Sequence, residues 1–171
     1  AMLLPGYFEP GGDTVANIDR PLLYNNLQKA LDNITYMQET GDFSILSRTF
    51  LMDSDGNFPG AQVDVEGIKN QYEVNKEQQQ TNPDQPVSSI MLADVEDIET
   101  AGFGTFNVTA VVDERTYANP TEDTVGSEIE TLIRKRFTIQ MDEAKVLDPV
   151  TGEESEGTER IFVILSQESL G

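Results

Sequence analysis

TFNVTAVVDERTYA, residues 105–118, alternates in character from its second position onward. Phe106, Val108, Ala110 and Val112 make one row, and Asn107, Thr109, Val111 and Asp113 make the other. A period of two is the mark of a strand, because successive Cβ atoms point to opposite faces. One apolar row against one largely polar row predicts an antiparallel strand with a single face on a core. On the N-terminal side, AGFG (101–104) reads as a glycine turn that joins this strand to SSIMLADVEDIET (88–100). On the C-terminal side, SEIETLIRKRFTIQMDE (127–143) alternates likewise, with Ile129, Ile133, Phe137, Ile139 and Met141 on one face. RIFVILSQ (160–167) is apolar in both rows, which predicts a strand in the centre of the sheet. NPTEDTVG (119–126) and LDPVTGEESEGTE (147–159) read as acidic connecting loops.

Upstream of residue 86 the period changes. Residues 3–18 are rich in Gly and Pro and read as part of an extended arm, residues 1–18, with Ala1-Met2 as a cloning scar. Asp19 is a good N-cap and Pro21 is tolerated in a first turn. Leu23, Leu27, Ala30, Leu31, Ile34 and Met37 then recur at helical spacing until Gly41. Asp42 caps a second, shorter helix carrying Phe43, Ile45, Leu46 and Phe50. A third begins near Asp64, with Val65, Ile68, Tyr72 and Val74 on one side, and gives way to a polar linker in NKEQQQTNPDQP (75–86). Three helices followed by a run of strands predict an α+β domain over residues 19–171, its helices packed on one face of a curved antiparallel sheet of four or more strands.

A specific likeness enters at this point. LQKALDNITYMQETGDFSILSRTFL (27–51) followed by VEGIKNQYEV (65–74) resembles the nuclear transport factor two-like, cystatin-like cone superfamily. Gly41-Asp42 stands where its members break between the long first helix and a short second one. Glu66-Gly67-Ile68 stands in the place of the third helix. The likeness is a pattern of elements over residues 20–168, and it implies the cone fold.

Composition limits the chemistry. The 171 residues include 31 acidic and 11 basic side chains, for a net charge of −20. Such a surface repels phosphate backbones, so direct nucleic-acid binding is not expected. The absence of cysteine excludes disulfides, zinc thiolates and thiol nucleophiles, and the absence of histidine removes the usual general base and the commonest metal ligand. No apolar run is long enough to span a bilayer, so membrane attachment would require an anchor outside these residues.

Three stretches compete as chemical centres. FLMDSDGNFPG (50–60) resembles a calcium loop in composition. With Asp53 first, however, Phe58 takes the position that needs glycine, and with Gly56 in that position Leu51 falls first. Asp-Gly and Pro-Gly are turn formers, so the expectation is a turn and no metal or cofactor. The basic cluster Arg134-Lys135-Arg136 is the second. On a strand Arg134 and Arg136 share one face, where they either pair with carboxylates such as Asp113 or Glu130 or serve as an interaction site. Lys135 joins Ile133 and Phe137 on the other face, as a pocket-facing candidate or a side chain that reaches to the rim. Third, Tyr24, Tyr36, Tyr72 and the many carboxylates supply the residue types that isomerases and dehydratases of the cone fold employ, but no pair is marked as catalytic. Asn33-Ile34-Thr35 and Asn107-Val108-Thr109 match glycosylation acceptors by chance in a chain read as bacterial.

The resemblance implies a non-enzymatic scaffold domain like those of the VirB-type family in Gram-positive conjugative type IV secretion channels. Such a domain lies on the extracytoplasmic side of a membrane-anchored protein and contacts other channel proteins or copies of itself. The alternatives are a small-molecule-binding protein or isomerase-like enzyme of the same fold, and a phage or surface structural protein. Fold by itself does not choose among them.

Overall fold

The computed structural model describes residues 20–170. The arm of residues 1–18 and the Asp19 cap lie outside the described residues. The chain forms helix α1 (Arg20–Thr40), a 3-10 helix (Phe43–Arg48) and helix α2 (Gln62–Thr81), then strands β1 (Ser89–Gly102), β2 (Thr105–Ala118), β3 (Ser127–Leu147) and β4 (Glu154–Ser169). All three pairings are antiparallel and the strand order is β1-β2-β3-β4. The fold class is α+β.

Helix α1 buries Leu23, Leu27, Ala30, Leu31, Ile34 and Met37, the row marked by the helical period. Gly41 ends it at φ 74°, a left-handed conformation that glycine adopts without penalty. A Cβ there would also strike the Tyr72 ring. The Asp42 carboxylate accepts from the Ser44 amide (3.1 Å) and hydroxyl (2.7 Å), which caps the next element and holds the carboxyl below its usual range. That element is a six-residue 3-10 helix and stops before Phe50, so the expected second helix is corrected to a single tight stretch. Phe50 instead bridges β4.

Helix α2 continues through Thr81, so the expected polar linker is mostly helix. Its Lys, Glu and Gln residues are good helix formers. Their amides also have tertiary acceptors: Gln78 donates to the Tyr117 carbonyl (2.7 Å) and Gln79 to the Gln85 carbonyl (3.1 Å). Asn75 takes the buried position rather than Val74, and its side-chain amide donates to the Gln38 carbonyl and the Ser88 hydroxyl, both at 3.0 Å. One buried amide therefore ties α1, α2 and the start of β1 together.

The core lies between the helices and one sheet face. Phe106, Val108, Ala110 and Val112 of β2 sit opposite Ile139, Phe137, Lys135 and Ile133 of β3. Phe162 and Ile164 extend this face into β4, opposite Met141 and Ile139. A bulge at Leu165 then shifts the register, so that Gln167 stands opposite Phe137.

β4 is an edge strand, which corrects the expectation that RIFVILSQ is central. Its outer edge is nevertheless not bare. Residues 49–51 lie along its outer edge, with the Leu51 amide donating to the Ile164 carbonyl (3.0 Å) and the Ile164 amide to the Thr49 carbonyl (2.8 Å). The acidic connector before it is also shorter than expected, because β3 runs to Leu147 and β4 begins at Glu154. At the opposite edge, α1 side chains occupy the outward backbone groups of β1. Thr35 bonds the amide and carbonyl of Ile90, Gln28 accepts from the Leu92 amide, and Tyr24 donates to the Leu92 carbonyl. Both edges are thus protected against stray strand pairing where they are most apolar.

Candidate functional site

The three residues of the basic cluster separate as strand geometry requires. Arg134 and Arg136 project from the face opposite the helices, and both are paired: Arg134 Nε with Glu96 at 2.6 Å and Arg136 with Glu168 at 3.3 Å. The carboxylates expected for them, Asp113 and Glu130, belong instead to Arg115, at 3.1 Å each. The β2–β3 register sets Arg115 opposite Glu130, with Asp113 two residues along the same face. The Arg115 guanidinium holds the Asp113 carboxyl below its usual range. Arg115 was not distinguishable in the sequence, because only the register selects its partners.

Lys135 lies on the core face opposite Ala110, with its side chain 13% exposed. Its ammonium pairs with Glu114 at 3.2 Å and donates to Gln167 Oε1 at 3.2 Å. Asp64, on the first turn of α2, is near enough to feel its charge. Burial raises the Asp64 carboxyl above its usual range, against the opposing pull of Lys135 and a hydrogen bond from Gln167. Sequence reasoning found Lys135 but missed its partners. Glu114 was reachable by continuing the β2 alternation one step past Val112. Gln167 was not, because the bulge at Leu165 puts it on this face. None of the grooves described among residues 20–170 has Lys135 in its wall.

The Asp64 shift sets a pH dependence. A carboxyl raised in the folded state stabilises the protein below its ordinary value of 3.8, and that contribution is lost as pH rises through the folded value. Asp64→Asn should therefore melt higher than the wild-type protein at neutral pH, and the gap should close in acid, where both side chains are uncharged. Thermal midpoints across pH measure this. A lower midpoint for Asp64→Asn at neutral pH would mean that attraction to Lys135 outweighs burial.

The acidic stretch at 50–60 is a turn. Asp53 Oδ1 accepts from the amides of Asp55 and Asn57, both at 2.9 Å, and the Asp53 amide donates to the Asn57 carbonyl at 2.8 Å. Gly56 takes φ 83° to close it. Among the described residues no group of three or more acidic side chains is placed to hold a metal ion.

One further groove lies between α1, the 3-10 helix and β4. Lys29 and Arg48 enter it and both pair with Glu159, at 3.2 and 3.5 Å. Arg48 also donates to the Lys145 carbonyl at 2.7 Å. These cations are used to fasten the β3–β4 ribbon to the helical layer. Among the described residues no helix is long and apolar enough to cross a membrane.

Comparison with protein-family models, with curated proteins and with solved structures finds no match to this chain. What the geometry defines is an acidic α+β domain with a four-stranded antiparallel sheet, a buried apolar row on the sheet's helix-facing side and ion pairs on several of its basic residues.

Proposed function

We propose that this domain is a non-enzymatic assembly module with the cone fold, working by protein–protein contact in a bacterial conjugation channel on the extracytoplasmic side of the membrane. The observation that supports this reading is how the sheet's helix-facing side is used. Phe106, Val108, Phe137, Ile139, Phe162 and Ile164 are all buried there against α1 and α2. An enzyme of this fold would keep a concave, mostly apolar pocket in that position. Filling the space with interlocked side chains favours a rigid block that presents its outer surface.

A second reading draws on one specific feature. Lys135 beside Glu114, with Asp64 raised by burial nearby, is the sort of pairing that a small-molecule enzyme uses for proton transfer. It would place the chemistry at the rim of the core rather than within it.

Complementation separates the two. In the source strain, loss of the gene should abolish plasmid transfer, and the wild-type gene should restore it. Lys135→Arg should also restore it, because an arginine can replace a structural cation but not a lysine that exchanges a proton at neutral pH. The double change Arg134→Glu, Arg136→Glu should not restore it. Transfer unaffected by deletion would overturn the assembly reading, and a folded but inactive Lys135→Arg would favour the enzyme.

A further inference from the structure

We propose that Phe103, on the β1–β2 turn, is a docking knob that seats in a groove of a second copy of the chain, between the start of α1 and β1. A single exposed apolar residue is ordinary on a protein surface and needs no partner. Here one molecule carries both the knob and a groove that fits it.

The knob is rigid. Phe103 and Gly104 form a two-residue turn between β1, which ends at Gly102, and β2, which begins at Thr105. Gly104 takes φ 72°, and its carbonyl accepts from the Met141 amide at 2.8 Å, which ties the turn to β3. The Phe103 side chain is fully exposed (106%), so it contributes nothing to the core of its own chain. Turn chemistry does not call for an aromatic residue there either. A ring held on a braced turn loses little freedom when it docks.

The groove is lined by Arg20, Pro21, Tyr24, Asp94, Val95 and Ile98 and encloses about 320 Å³. An apolar cavity of about 150 Å³ holds benzene, so one phenyl ring fits with room at the mouth. Ile98 belongs to the buried core and Val95 packs against it, which fixes the floor. The Tyr24 hydroxyl keeps its bond to the Leu92 carbonyl, and only its ring faces the guest. Phe103 cannot fill the groove of its own chain. It stands five residues beyond Ile98 along β1, about 16 Å in a strand, which is farther than its side chain extends.

Charge points to a second copy as the guest's source. Exposed carboxylates flank the knob: Glu99 on β1, and Asp142 and Glu143 on β3 just past Met141. Arg20 stands at the groove, and among the described residues it has no ion pair. Docking brings those carboxylates to a free cation. Asp94 repels them from its side of the groove, so the favourable approach is from the Arg20 side. The net charge of −20 opposes association of identical chains. At about 0.15 M salt the screening length is about 8 Å, so distant charges repel weakly while contact within the groove persists. Knob and groove are different surfaces, so each added copy leaves one of each free, and copies extend into chains or close into rings. The pairing deepens the assembly reading and rests on it for its biological purpose, while its geometry stands on knob and groove alone.

Sedimentation of the wild-type chain at that salt should show the average mass rising with concentration past twice 18.9 kDa. Phe103→Asp should remain a monomer, because it removes the ring that anchors the contact, and Arg20→Glu should weaken association at least about tenfold. Circular dichroism should show both variants folded, since both positions are exposed. Cysteine crosslinking locates the contact, as the chain has no cysteine of its own. Ala101→Cys at the base of the knob is mixed under mild oxidation with isotope-labelled Asp94→Cys at the groove. The mixed covalent dimer should form at least about tenfold faster than from Ala101→Cys with Val63→Cys, because docking holds the thiols at high effective concentration. Val63 is 83% exposed on α2 and serves as the collision control. Adding Phe103→Asp to the Ala101→Cys chain should erase the difference. Equal rates for the two mixtures, or association that survives Phe103→Asp, would overturn the pairing. A wild-type monomer at every concentration would also overturn it and leave the groove to a different protein. If that monomer still supports plasmid transfer, the assembly reading stands without the pairing. Association of the wild-type chain, with transfer that survives loss of the gene, would support the pairing and remove the assembly reading.

Discussion

Replacing Phe137 by alanine should cost about 3–5 kcal/mol, the range for truncating a fully buried aromatic side chain. Phe137 has no exposed surface and stands between Val108 of β2 and Gln167 of β4. Its neighbours on the core face are fixed by two strand ladders, so they cannot collapse into the space. A domain of this size is stable by about 5–15 kcal/mol, so the variant loses a large share of its margin. Urea unfolding should show the midpoint falling while the slope stays constant. The same change opens an apolar cavity between the sheet and the helices. Benzene should then raise the melting point of Phe137→Ala but not that of the wild-type protein. A loss below about 1 kcal/mol would show that the sheet face is not packed as described. Benzene stabilising the wild-type protein as well would point to an existing pocket and revive the small-molecule reading.

Gly60→Ala should be the most damaging of the single-methyl additions to the turn segment. A Cβ at Gly60 would overlap the carbonyl oxygen of Leu165 and come within 3.2 Å of its carbonyl carbon. Both are backbone atoms at the β4 bulge, so no side-chain rotation relieves the clash. The segment carrying Gly60 must retreat from β4 instead. That segment includes Phe58, buried and edge-to-face with Phe50 at 6.4 Å, and Phe50 leads into the hydrogen bonds over Ile164. Overpacking of this kind costs about 1–3 kcal/mol. Its location should be visible too. Amide exchange at Leu51 and Ile164 should accelerate more than exchange at Val108, in the middle of the sheet, because the strap opens locally. A uniform change across all three, or none, would mean that the strap does not hold the β4 edge. Loss of the strap also frees the outer edge of β4, so Gly60→Ala should aggregate more readily than the wild-type chain.

Much of this architecture can be read from local pattern. The alternation of Phe106, Val108, Ala110 and Val112 is a backbone property, since a period of two puts every second side chain on one face whatever lies nearby. The helical row from Leu23 to Met37, the glycine stop at Gly41 and the Asp42 cap are equally local. Lys135 on the core face followed from the same alternation. The sequence alone thus determined the α+β class, the antiparallel order of helices before strands, and which face of β2 and β3 meets the core.

Tertiary structure decided whatever depended on residues far apart in the chain. RIFVILSQ is apolar on both faces, which suggests a central strand, but it is the last strand of the sheet, and its outer edge is bonded by residues 49–51, more than a hundred positions earlier. NKEQQQT looked like a linker because it has no apolar period, yet its glutamines reach acceptors on β2 and beyond, which no helix pattern encodes. Arg115 took the carboxylates expected for Arg134 because a two-residue offset in strand register exchanges one set of partners for another. The bulge at Leu165 moved Gln167 to the side of Lys135. Pattern along a chain records which face a side chain takes, because that is set by the residue's own dihedrals. Which strand lies beside it, and in what register, is set by the balance of long-range pairings, and only the folded molecule contains that balance.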